Sequence, residues 1–157
     1  VVEGLLAAAA TAAVAGRTLA TLTTVDIGFG IGPRINAAGR LEDMRLGIEC
    51  LLADDPGQAR ALAEVLHAIN AERRGLQAGM LAAADAALAR VSADAAAPAT
   101  GYCLYDPHWH AGVIGLVASR IKERRHRPVL AFAPSGNGDG MLRGSMRSIP
   151  GFHARDA

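Results

Sequence analysis

DDPGQARALAEVLHAINAERRGLQAGMLAAADAALAR, residues 54–90, decides how the rest of the chain is arranged. Asp55 stands where a helix cap belongs, Pro56 at the first helical position, and Gln58 where a capping box wants it. Behind this start Leu62, Val65, Leu66, Ile69, Leu76, Met80, Ala84 and Leu88 recur at helical spacing, with no proline among them. The spacing predicts one helix over residues 55–92, roughly 50 Å long at about 1.5 Å per residue. Gly75 and Gly79 offer the alternative of two shorter helices, since a glycine costs roughly 1 kcal/mol against alanine. A rod of this length suits a strut between two domains.

On the N-terminal side of the strut, residues 2–14 read as a small alanine-rich helix. Leu41, Met44, Ile48, Leu51 and Leu52 predict an amphipathic helix over residues 41–52. Between them lies GFGIGPRINAAGR, residues 28–40, which reads as a loop. Pro33 fixes its backbone, Arg34 and Asn36 alternate on an extended segment, and Arg40 comes just before the next helix. Amides freed by glycines, together with an arginine pair, suit a phosphodiester. The stretch lacks the Lys-Ser/Thr ending of a phosphate-binding P-loop.

On the C-terminal side, SADAAAPATG, residues 92–101, reads as a linker. Residues 102–105 then read as a strand, 111–125 as a helix, 128–133 as a buried strand, SGNGDG as a hairpin turn and MLRGSMRS as a further strand. Strand, helix, strand in this spacing predicts an α/β domain. PGFHARDA, residues 150–157, reads as a turn and the first turn of another helix.

The alternation in MLRGSMRS puts Leu142, Gly144 and Met146 on one face and Arg143, Ser145 and Arg147 on the other. Two guanidiniums flanking a hydroxyl make an anion platform; a solvated strand face with incidental arginines gives the same pattern. In DPHWHAGVIGLVASR, residues 106–120, His110 sits at the N-terminus of the expected helix, where unpaired N–H groups favour anions. A simple cap is the competing reading of His110, and a metal set of Asp106, His108 and His110 is a third. SRIKERRHR, residues 119–127, reads as a solvated helix end, with a phosphate tract as the second reading.

Composition narrows the classes. With 51% hydrophobic residues the chain can build a core, which excludes a disordered protein. The longest apolar run, LLAAAATAAVAG, is too short to span a bilayer. The net charge of +1 hides an asymmetry, −3 over residues 1–100 against +4 over 101–157, which points a polyanion to the C-terminal third. Cys50 and Cys103 read as small buried hydrophobes of a reducing compartment, the cytoplasm, rather than as a disulfide. No signal peptide is visible, and Val1 in place of an initiator Met suggests a piece of a longer chain or a processed one. There is no D-x-D or D-H-H cluster and no Ser/His/Asp or Cys/His arrangement. By its own residues the chain reads as a phosphate-binding half without a catalytic engine.

GPRINAAGR, then HAINAERR, then WHAGVIGLVASRIKERRHRPVLAFAP, then GSMRSIPGFHARDA, in that order, resemble the single-stranded-DNA exonucleases of the DHH phosphoesterase superfamily. The resemblance runs from residue 26 onward. It implies an α/β architecture with the C-terminal part of a DHH domain over residues 1–54, a connecting helix over 55–92, a linker over 93–100, and the N-terminal part of a DHHA1 substrate-binding domain over 101–157. The implied reaction is 5′→3′ hydrolysis of single-stranded DNA in repair and recombination, with two Mn²⁺ or Mg²⁺ ions activating water. The DHH motif and the family's GGH segment are absent, so the metal ligands are expected outside this chain, and these residues alone are expected to be inactive. Carried onto this sequence, Arg34 and Asn36, with Arg40 beside them, would contact substrate phosphate or order the cleft; His110, Ser145 and Arg147 would hold the DNA backbone. Arg143 falls outside the motif, and Met146 stands where the family often has a small residue. Implied partners are single-stranded DNA, a single-stranded-DNA-binding protein and a helicase, with no membrane. A non-catalytic nucleic-acid-binding relative and an oligonucleotide or cyclic-dinucleotide phosphodiesterase of the same superfamily are the alternatives.

Overall fold

The computed structural model describes residues 4–94 and 99–153, divided into two compact units between Arg74 and Gly75. The middle of the expected linker, residues 95–98, and the expected final helical turn, residues 154–157, lie outside the described residues.

The first unit is helical. Helix α1 (Leu5–Val14) is followed by a 3₁₀ turn (Leu19–Thr21), a short α2 (Thr24–Asp26), a π turn (Ile27–Ile31), α3 (Gly32–Leu41), α4 (Arg45–Leu52) and the start of α5 (Pro56–Asp94). Thr23 and Asp26 close a capping box around α2, each side chain bonded to the other residue's N–H. Ala7, Ala38, Cys50, Ala63 and Leu66 form one buried cluster, with Ile35, Leu46 and Leu62 packed against it. Small residues let these helices approach closely: a Cβ on Gly47 of α4 would come within 3.1 Å of Ile35 Cγ2 of α3.

Two expectations about this unit are corrected. The glycine-rich stretch is helical, and Arg34 and Asn36 do not lie on an extended segment. None of Gly28, Gly30, Gly32 and Gly39 takes a positive φ. Pro33 falls in the first turn of α3, where its missing N–H costs nothing within the helix. Ile31, Arg34, Ala37 and Ala38 are buried at helical spacing, and that burial outweighs the glycines' low propensity. The second correction concerns residues 41–52. Leu41 ends α3, and Ile48, Leu51 and Leu52 are exposed, while Gly47 and Cys50 form the buried side of α4. Side-chain size pointed to the wrong face because alanine, glycine and cysteine build this core.

Helix α5 runs unbroken through Gly75 and Gly79 for 39 residues, about 58 Å at about 1.5 Å per residue. Asp55 Oδ1 caps it by accepting the Gln58 N–H at 2.7 Å. Its stripe holds at Leu66, Ile69, Met80, Ala84 and Leu88, which are buried, and fails at Val65, which is exposed.

The second unit contains β1 (Tyr102–Tyr105), α6 (Ile114–Arg125), β2 (Val129–Pro134) and β3 (Leu142–Arg147). The sheet order is β1-β2-β3. β1 and β2 pair in parallel, as a helical crossover requires, and the β2–β3 hairpin pairs antiparallel. Its turn closes with the Ser135 N–H donated to the Met141 carbonyl, and Gly136, Gly138 and Gly140 supply the positive φ angles. Helix α6 covers one sheet face, burying Val113, Ile114, Val117 and Ile121 together with Val129, Ala131, Ala133 and Leu104. Arg124 Nη1 reaches Asp85 Oδ2 at 2.7 Å and ties the last turn of α6 to α5. Among the described residues no helix is long and apolar enough to cross a membrane.

Register decides which face of β3 is covered. Arg147, Ser145 and Arg143 stand opposite Val129, Ala131 and Ala133, all fully buried, so the polar row shares the α6 side. Met146 and Leu142 lie on the other side and are exposed. Cys103, expected buried, is exposed there too, while Cys50 is buried; both thiols are free. The alternation of β3 was readable, but its covered side depended on where α6 landed.

Candidate phosphate-binding site

Arg147 is the best organised polar side chain of the second unit. Its Nε donates to Ser119 Oγ at 2.7 Å, and its Nη1 donates to Ser145 Oγ at 3.0 Å and to the Met146 carbonyl at 2.8 Å. It is half-buried under α6 and has no carboxylate partner among the described residues. A cation held by neutral acceptors keeps its full charge available to an anion. Ser145 therefore joins Arg147 directly, as the strand alternation implied. Arg143, on the same row, is exposed. Sequence reading gives Ser119 no role; its one signal is its position four residues beyond Gly115, one turn along the same helix face.

His110 lies further from α6 than expected, because the helix begins at Ile114. Residues 111–113 form a turn in which the His110 carbonyl accepts from the Val113 and Ile114 N–H groups. The His110 ring is exposed, and its Nδ1 accepts the Gly112 N–H at 3.1 Å, so it orders the entry to the helix. Asp106 Oδ1 is engaged with the His108 N–H. Among the described residues no group of three or more His, Cys, Asp and Glu side chains is arranged to hold a metal ion.

In the first unit the three motif residues separate. Arg34 is buried; its Nη1 donates to the Gly30 carbonyl at 2.6 Å and its Nε to His67 Nδ1 at 3.1 Å. Asn36 and Arg40, about 40° apart around the helix, are exposed on another side of α3. HAINAERR of α5 supplies what sequence reading left without a role. His67 receives Arg34, and Asn70, itself buried, accepts from Arg73 at 2.9 Å. Burial first, then the nearby Arg74, lowers the Arg34 pKa from its ordinary value. Burial first, then Arg40 and Arg74, does the same to Arg73. Four guanidiniums thus crowd the junction of α3 and α5, a concentration of like charge that attracts anions.

Known proteins resemble this chain in sequence and in fold. The sequence is 51% identical over 144 residues to the single-stranded-DNA-specific exonuclease RecJ of Dickeya dadantii, covering 92% of this chain and 25% of that protein. It is 49% identical over 144 residues to RecJ of Escherichia coli, again 92% of this chain and 25% of the relative. The crystal structure of RecJ in complex with Mg²⁺ from Thermus thermophilus superposes with a TM-score of 0.74 at 36% identity, over 96% of this chain and 22% of that one.

This chain resembles a segment of RecJ.

A crystal structure of exonuclease RecJ bound to manganese matches as well, with a TM-score of 0.68 at 35% identity over 97% of this chain and 34% of that one. No family model matches. The RecJ-like segment spans about a quarter of the length of the curated relatives it matches. Its long helix and small mixed sheet agree with the α/β reading of the sequence.

Proposed function

We propose that this chain is the backbone-gripping part of a longer 5′→3′ single-stranded-DNA exonuclease, acting in the cytoplasm in DNA repair and recombination. The observation that carries the reading is Arg147, held by two serine hydroxyls and a carbonyl with no carboxylate among the described residues to neutralise it. A phosphodiester oxygen is the natural partner of such a guanidinium. Ser145 and His110 are the further candidate contacts of the DHHA1-like part, residues 101–157; Asn36 and Arg40 are separate candidate contacts of the DHH-like part, residues 1–54. Arg34 is too buried for a direct contact and serves by holding α3 against α5. The connecting helix is α5, Pro56–Asp94, so residues 93 and 94 of the expected linker belong to the helix.

Relatives have been crystallised with Mg²⁺ and with Mn²⁺. The sequence lacks the DHH motif, so on this reading the ions would be held by residues outside this chain, and these residues alone would cut nothing. A helicase that exposes single strands and a protein that coats them would share the enzyme's substrate.

The test uses the full-length protein with Mn²⁺. It should degrade 5′-exposed single strands and spare blunt duplex; equal action on both sinks the proposal. Arg147→Ala in that protein should weaken strand binding and reduce the slope of log affinity against log salt by about one. An unchanged slope removes Arg147 from the site.

A further inference from the structure

Ser119 makes two hydrogen bonds of opposite sense. Its Oγ donates to the Gly115 carbonyl at 3.0 Å and accepts from Arg147 Nε at 2.7 Å. A hydroxyl has one proton, and here it is committed to the helix carbonyl, so its lone pairs face the guanidinium. Arg147 Nη1 is fixed on the other side by Ser145 Oγ and the Met146 carbonyl. With Nε and Nη1 both engaged, the planar fork cannot rotate. Its remaining nitrogen, Nη2, lies 2.9 Å from the point where residue 115 would carry a Cβ, and Ser145 Oγ lies 3.1 Å from it. Any side chain at position 115 would displace the fork.

We propose that Ser119 and Gly115 are positioning residues for Arg147, setting the direction in which Nη2 meets a phosphate oxygen. Ser119 orients the fork by hydrogen bonding, and Gly115 makes room for it by having no side chain. The inference rests on the reading of Arg147 as a phosphate contact. If Ser119 only stabilised α6, its loss would lower the melting temperature and leave DNA affinity and its salt dependence untouched.

The experiment compares Ser119→Ala, Ser119→Thr, Gly115→Ala, Arg147→Ala and the double variant Ser119→Ala/Arg147→Ala in the full-length exonuclease. Binding of a short oligothymidylate is measured across salt concentrations, alongside thermal melting. Ser119→Ala should weaken binding about tenfold and flatten the salt slope. Ser119→Thr, which keeps the hydroxyl, should recover most of that loss. Gly115→Ala should weaken binding in the same way. The double variant should bind no worse than Arg147→Ala alone, since the hydroxyl acts only through the guanidinium. Losses that add, or a Ser119→Ala variant that binds like the unmodified protein while Arg147→Ala does not, would overturn the positioning role and leave the phosphate reading intact. Unchanged binding by Arg147→Ala would overturn both. If Ser119→Ala melts too low for binding to be read, Gly115→Ala carries the test through a second double variant, Gly115→Ala/Arg147→Ala, which must bind no worse than Arg147→Ala alone.

Discussion

Arg34 and Arg147 are both motif arginines, both bonded to neutral acceptors, and neither meets a carboxylate among the described residues. They differ in what surrounds them. Arg34 is only 8% exposed, wedged between the Gly30 carbonyl and His67, and it has Arg74 as a neighbouring cation. Arg147 lies half-buried in the groove between α6 and β3. Where a guanidinium is fully enclosed, its bonds serve the fold; where one edge stays accessible, the same chemistry is available to a ligand. Motif membership does not distinguish these roles, but burial does.

That contrast can be broken by measuring stability. In the full-length protein Arg34→Met should cost about 2–3 kcal/mol, because His67 Nδ1 and the Gly30 carbonyl lose a charged donor. Arg147→Met should cost under about 1 kcal/mol, since its acceptors can turn to water. Equal losses in chemical denaturation would erase the distinction. Gly47→Ala sharpens it from the side of α3. The added methyl would press on Ile35 Cγ2 at 3.1 Å and on its carbonyl at 3.3 Å, and should cost about 1–2 kcal/mol without altering the Arg147 salt slope. A changed slope would show that the seating of α3 matters to the other site.

Smaller effects set the background. Arg124→Ala removes an ion pair whose side chains are 54% and 40% exposed, and should shift stability by about 0.5 kcal/mol. A loss several times larger would mean that the pair does more than a surface contact can. The least effect is expected from Asp26. The Thr23 hydroxyl, then the Thr23 N–H, hold its pKa below the ordinary 3.8, with Arg17 adding a weaker pull. A carboxyl depressed on folding stabilises fully above its unfolded pKa, and that contribution fades as pH falls through the folded value. Asp26→Asn should therefore differ from the unmodified protein at neutral pH and converge with it in acid. A difference that persisted below the folded pKa would rule out the charge as its source.

The long helix was legible because its signal is local and repeated: a cap, a proline at the first position and an apolar stripe each point to the same element. The strand, helix and hairpin order of the second unit was legible for the same reason. Propensity alone makes the glycine-rich stretch a loop; burial makes it a helix. Ile31, Ala37 and Ala38 mark a helix face only after α4 and α5 exist to cover it. The helix starts at Ile114 because the Gly112 N–H turns to His110 Nδ1 and the Val113 N–H to the His110 carbonyl first. Among the candidate residues, the shared row of Ser145 and Arg147 is readable from strand alternation, while Ser119 carries only a four-residue spacing from a glycine.

The sequence by itself determined the long helix, the order of elements in the second unit, and the motif residues that tie the chain to the RecJ exonucleases, because each rests on near-neighbour spacing along the backbone. Only the tertiary structure decided which face of β3 is covered, which motif arginine is enclosed, and that Ser119 meets Arg147 across 28 positions of chain. Those outcomes depend on where one packed surface lands on another, and period-two or period-3.6 patterning leaves that choice open.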